Sequence, residues 1–138
     1  MTTTIQTPQI LVDGPRNVVV KYEGTLTATE AGVFTIVDPA LLSDMDINGV
    51  KASNLSISKI TYDVEDLLCV NLLWGSDSTN KVIWNLTGRG KVDAHFYGGL
   101  QQQDTVADSN GKIVATFDYS GSTGALLAFT LVLELEKQ

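Results

Sequence analysis

The sequence is poor in the residues that build most catalytic and metal centres: 138 residues hold one cysteine, Cys69, and one histidine, His95. One cysteine excludes an internal disulfide, and the pair together are too few for a zinc site. There is no G-x-S-x-G, C-x-x-C or H-E-x-x-H and no phosphate-cradling glycine loop. Basic residues are scarce as well, nine Lys and Arg against sixteen Asp and Glu, for a net charge of -7 and a pI near 4.4. The densest basic stretch is GRGK at 88–91, so nucleic acid and anionic membrane surfaces are expected to repel this chain. No apolar run reaches the ~18 residues needed to span a membrane. The start, MTTTIQTPQILVDGP, has neither the positive residues nor the continuous apolar core of a secretory signal. These absences predict a protein that stays, or is assembled, in a cytoplasm.

What is present is hydrophobic alternation. The 43% hydrophobic content suffices for the core of one ordinary domain, and the period of that content is two. Leu68, Val70, Leu72 and Trp74 share one face of a strand, and Val82, Trp84 and Leu86 share another after the turn GSDSTN. Leu127, Phe129, Leu131, Leu133 and Leu135 alternate with Ala128, Thr130, Val132, Glu134 and Glu136. Ile113, Ala115, Phe117 and Tyr119 follow the turn signal DSNG. In NLSISKITYDVED the phase changes between Leu55/Ile57 and Ile60/Tyr62/Val64, which a bulge near Ser58–Lys59 would reconcile. With NVVVKYEGTLTAT, GVFTIVD and KVDAHFYG, the count is seven or eight strands. One helix candidate, DPALLSDM, would last about two turns from Pro39. The expected fold is therefore all-β, an antiparallel sandwich or jelly roll spanning residues 17–138. Residues 1–16, rich in Thr and Gln and dotted with Ile5, Ile10, Leu11 and Val12, are expected to form a flexible arm available to a neighbour.

Candidate chemistry is thin. Asp44, Asp46, Asn48 and Gly49 in DMDINGV reproduce the first half of a helix-loop-helix calcium loop. The twelfth position, where a bidentate acid must close the site, is Leu55, so these residues are weak metal candidates that would need remote carboxylates such as Asp63, Glu65 or Asp66. The bland reading is a polar connection with NG as its turn. Asp93 and His95 at strand spacing could orient an imidazole for base work, but no nucleophile accompanies them. Trp74 and Trp84 follow the apolar phase and are expected in the core. If they were exposed, they and Tyr97 could stack on sugars. Cys69 reads as a small buried hydrophobe. No cofactor is called for.

Taken together, ISKITYDV, VNLLWGSDSTNKVIWNLTGRGKVDAHFYGGL and GKIVATFDYSGSTGALLAFTLVLELEK resemble a family of small structural proteins of tailed bacteriophages. The shared features are an aromatic-ended strand, a hairpin, a G-x-G before a short polar strand, a GGL, and a closing strand ending in lysine. They span residues 17–137, and they are structural rather than catalytic. The resemblance implies a non-enzymatic virion component that meets the major capsid protein or another virion protein. It would be a decoration or cement protein on the outside of the head, or otherwise a neck or tail part. It further implies a homo-oligomer, with a trimer favoured. The alternative is a carbohydrate- or receptor-binding sandwich module. For the virion reading, the candidate contact residues are Ile5, Ile10, Leu11 and Val12 of the arm, with Gln101, Gln102 and Gln103 in QQQDTVADSN.

Overall fold

The structure is a computed structural model that describes residues 4–5, 7–26, 33–65, 67–76, 80–95, 99–100, 109–119 and 127–137. Ten strands are formed among them: β1 (Thr4–Ile5), β2 (Gln9–Asp13), β3 (Asn17–Leu26), β4 (Phe34–Val37), β5 (Leu55–Val64), β6 (Leu68–Ser76), β7 (Lys81–Leu86), β8 (Gly88–Asp93), β9 (Ser109–Tyr119) and β10 (Leu127–Lys137). One sheet runs β3-β10-β5-β8, with β1 and β2 both paired to the outer edge of β3, and the other runs β4-β9-β6-β7. Every pairing is antiparallel. From β3 onward the chain crosses between sheets at each connection except the β6–β7 hairpin. This order is that of a jelly roll.

The two sheets are held together by the faces that the period of two selects. Along β10, Leu127, Phe129, Leu131, Leu133 and Leu135 are buried while the residues between them are exposed or half-buried. They meet Leu68, Val70, Leu72, Trp74, Ile113, Ala115 and Phe117 of the opposite sheet in one core. Its centre is aromatic: Phe117 lies 5.0 Å from Phe129, 6.4 Å from Tyr22 and 5.5 Å from Phe34, centroid to centroid, all tilted. The anticipated bulge is present. Glu134 opposes Lys59 and Leu135 opposes Ile57, which leaves Ser58 as the extra residue and puts Leu55, Ile57, Ile60 and Val64 into the core. Tyr62 is half-buried against it.

Tyr22 carries a hydroxyl into this core that meets no hydrogen-bond partner among the described residues, and burial pushes its phenol up to about 12. An unmet hydroxyl there costs desolvation and returns nothing. Tyr22→Phe is therefore expected to leave stability unchanged or raise it by about 1 kcal/mol in urea unfolding. A clear loss would show that the hydroxyl has a partner.

Several local expectations are corrected. The helix candidate is a single 3-10 turn, Pro39–Leu41, with the Asp38 side chain accepting the Ala40 N–H at 3.0 Å. Of KVDAHFYG, Lys91 to Asp93 are strand, Ala94 and His95 lie beyond it, and 96–98 lie outside the described residues. β8 starts earlier at Gly88 and ends at Asp93. Beyond it Leu100 bridges Ile57 on the same side of β5. Trp74 is 5% exposed, as its phase required, but Trp84 is 41% exposed and Val82 55%. A register shift in β7, the outermost strand of its sheet, leaves Trp84 opposite core Leu72 but sets Val82 opposite Leu73. Ile83 is thereby the extra residue, so Val82 and Trp84 no longer share a face. Cys69 is half-buried outside the core, with Sγ 3.3 Å from Asn71 Oδ1. Burial and the nearby Asp118 carboxylate push its thiol up, which keeps it protonated.

Candidate interaction site at the β2 edge

Residues 9–13, expected within a free arm, are a strand of the sheet. β2 pairs Gln9 with Lys21, Ile10 with Val20, Val12 with Val19 and Asp13 with Val18. The backbone of Ile5 pairs with Gly24 further along the same edge. The jelly roll needs only β3 to β10, so β2 adds a strand's width to one sheet that no strand of the other sheet matches among the described residues. All five β2 residues are consequently exposed, with Ile10 at 45%, Leu11 at 48% and Val12 at 48%. Ile10 lies opposite buried Val20 and Val12 opposite half-buried Val19, so β2 shows aliphatic groups to both faces. The register shift between Ile10 and Val12 makes Leu11 the extra residue and turns it away from the ladder.

The other edges of the two sheets are guarded. β8 carries Arg89, Lys91 and Asp93, with Arg89 3.5 Å from Asp63. β4 is four residues long and irregular between Thr35 and Val37. β7 opens on Lys81 and is shifted at Ile83. Charge, brevity and bulges are the usual means of keeping strand edges from pairing. β2 has only the bulge, and residues 1–12 contain no charged side chain.

Its single charge, Asp13, is spent inward. Lys137 continues the buried alternation of β10, and its side chain is 0% exposed. The ammonium donates to Asp13 Oδ1 at 2.8 Å, to the carbonyls of Gly14 at 2.7 Å and Ser43 at 2.8 Å, and contacts Ser43 Oγ at 3.0 Å. Ser43 in turn donates its N–H to Asp13 Oδ2 at 2.9 Å and its hydroxyl to Asp13 Oδ1 at 2.8 Å. The Lys137 N–H donates to Arg16 O at 2.7 Å. A buried ammonium is tolerated only with its hydrogen bonds and a counter-charge in place, and here two separate chain segments, at 13–14 and at 43, supply them. Burial by itself would raise the Asp13 carboxyl, but the hydrogen bonds from Lys137 and Ser43 and the ammonium's charge outweigh it and hold it below the ordinary value.

The remaining sequence candidates do not converge. Asp44 pairs with Lys51 at 2.8 Å, and Lys51 also donates to Leu42 O at 2.6 Å. Asp46 Oδ1 accepts the N–H groups of Asn48 at 2.8 Å and Val50 at 3.4 Å, while Asn48 is exposed and Gly49 takes φ 78°. The carboxylates that resembled calcium ligands thus close a polar turn. No group of three or more His, Cys, Asp or Glu suited to a metal occurs among the described residues. Asp93 Oδ1 accepts the backbone N–H of His95 at 3.1 Å. Gln101, Gln102, Gln103, Tyr97, Asp66 and the side chain of Ile5 lie outside the described residues.

No family model and no curated protein matches this chain. The clasp at Lys137 was missed by sequence reasoning, although a signal existed. Lys137 falls on the same alternation as Leu127 to Leu135, and a lysine at a core phase calls for a carboxylate nearby.

Proposed function

We propose that this chain is a non-enzymatic structural protein of a phage particle, a decoration or cement protein that docks on the outer surface of the head and stabilises it. The observation that carries the reading is β2, an edge strand with three half-exposed aliphatic residues whose only charge faces inward, on an otherwise acidic molecule. Such an edge suits strand addition to a neighbouring protein, with main-chain hydrogen bonds giving affinity and alternate side chains giving specificity. The jelly roll adds support by analogy, since capsid proteins use it, as do lectins and enzymes. The acidic surface would keep the protein off packaged DNA. The partners of this reading are the major capsid protein and further copies of the chain.

The test is addition of purified protein to mature heads that lack it. Binding and a gain in resistance to heat or chelation are expected. Leu11→Lys should weaken that binding at least about tenfold while leaving the fold within ~0.5 kcal/mol, because Leu11 is exposed. Binding to tails alone would move the protein to the neck or tail, and binding to neither would end the reading. Exposed Trp84 on the β7 edge favours one second reading, a carbohydrate- or receptor-binding module. Glycan-dependent quenching of its fluorescence without head binding would select that one.

A further inference from the structure

We propose that β2 is an exchangeable strap, able to leave its own β3 and be replaced there by β2 of another copy of this chain, whose Asp13 refills the site at Lys137. The inference deepens the reading of β2 as the assembly element and rests on it only in taking the neighbour to be this same edge.

Three observations lead to it. The first is how little holds β2 in place. Its side chains are exposed, so apolar burial contributes little, and its ladder to β3 is interrupted at Leu11. β3 beside it has Val18, Val20 and Tyr22 at 0–1% exposure. A strand retained by one irregular ladder and, at its end, by the Asp13 bonds to Lys137 and Ser43 opens at a fraction of the global unfolding cost. The second is the link to β3, Gly14-Pro15-Arg16, whose turn is closed by Gly14 N–H to Asn17 O at 2.9 Å. Proline fixes its own φ and biases the residue before it towards extended backbone, so a short link of this kind can straighten as readily as it reverses. Short hinge loops are where identical elements exchange between copies.

The third observation selects the occupant. Any extended segment could satisfy the vacated ladder on β3. Lys137, however, has a side chain with no exposure and an ammonium that takes its carboxylate from β2. A foreign strand lacking an acid at that register leaves the charge buried without its counter-ion, a state that carries a heavy penalty. β2 of another copy restores the ladder and the Asp13 bonds to Lys137 and Ser43, being the same sequence in the same register. The vacated edge therefore discriminates in favour of its own kind. Because the clasp is rebuilt between copies, it governs the rate of exchange, whereas protein concentration and the hinge govern its extent.

Gln9 and Lys21 face each other across the ladder, which allows a direct readout. In a Cys69→Ser background, Gln9→Cys with Lys21→Cys is incubated at high concentration, oxidised and run without reductant. Exchange predicts covalent dimers or larger rings whose share rises with concentration. Closure within single chains at every concentration overturns the proposal. Should that variant misfold, ¹⁵N-labelled and unlabelled wild-type chains are mixed and weighed by native mass spectrometry. Mixed-mass oligomers are expected, and monomers alone overturn the proposal. Asp13→Asn should speed mixing about tenfold, and an unchanged rate would remove the clasp's part in it. Head binding is scored separately with wild-type protein. Exchange without head binding leaves the strap standing and ends the virion reading, and head binding without exchange does the reverse.

Discussion

Gly111→Ala is expected to destabilise the protein by about 3 kcal/mol or more, whereas Gly88→Ala should cost only about 1 kcal/mol. Both glycines sit in the left-handed region, at φ 76° and 73°, so an alanine at either pays the same conformational penalty. Their surroundings differ. A Cβ at Gly88 meets nothing within 4 Å. At Gly111 it would drive into the backbone carbonyl of Ser53, with Pro39 Cγ 3.2 Å away. That carbonyl belongs to the connection leading into β5 and cannot rotate aside as a side chain would. The contact is where the irregular start of β9, between the Trp74–Ile113 and Ser76–Ser109 pairs, packs under the segment that follows the 3-10 turn. Urea midpoints of the two variants measured side by side isolate the packing cost from the φ cost. Equal losses would show that β9 and the 39–53 connection do not touch as described.

Asp13→Ala should cost about 3 kcal/mol and exceed Lys137→Met, which should cost about 1–2 kcal/mol. Removing the carboxylate leaves a fully buried ammonium without its counter-charge and strips the Ser43 N–H of its acceptor, while the Ser43 hydroxyl keeps only the Asp13 carbonyl. Removing the ammonium leaves a carboxylate that is 26% exposed and can turn to water. The double variant is expected to lie above Asp13→Ala in stability, since the stranded charge is then gone. Acid titration reads the same pair. The folded-state pKa of Asp13 lies below the ordinary 3.8, so its stabilisation is fully present above 3.8 and is lost as pH falls from there through the depressed value. Wild-type stability should therefore fall more steeply than that of Asp13→Asn in that window. Parallel slopes, or Lys137→Met as the worse single variant, would mean that the clasp contributes no charge-dependent stability.

Much of the sandwich was legible because strand alternation is a local signal. The residues that bury along β10, and the phase change that demanded a bulge at Ser58, follow from which side chains avoid water over spans of ten residues or so. Trp84 shows where that logic stops. Its phase matched the core and it does oppose buried Leu72, yet on the edge strand β7 it is 41% exposed, and no local pattern in KVIWNL announces which strand becomes the edge. DMDINGV shows a second limit. Its carboxylates match half of a calcium loop with no closing acid, and only the fold shows them engaged by Lys51 and by backbone N–H groups.

Composition and periodicity alone thus determined an acidic all-β domain with its oily faces turned inward, since those properties belong to each strand separately. The third dimension decided that residues 9–13 join a sheet, that this strand overhangs the opposite layer with Ile10, Leu11 and Val12 uncovered, and that Lys137 reaches Asp13 and Ser43. Those outcomes depend on which strands become neighbours and on how many stand in each layer. Such facts arise only when segments far apart in the chain compete for the same edge and the same buried space.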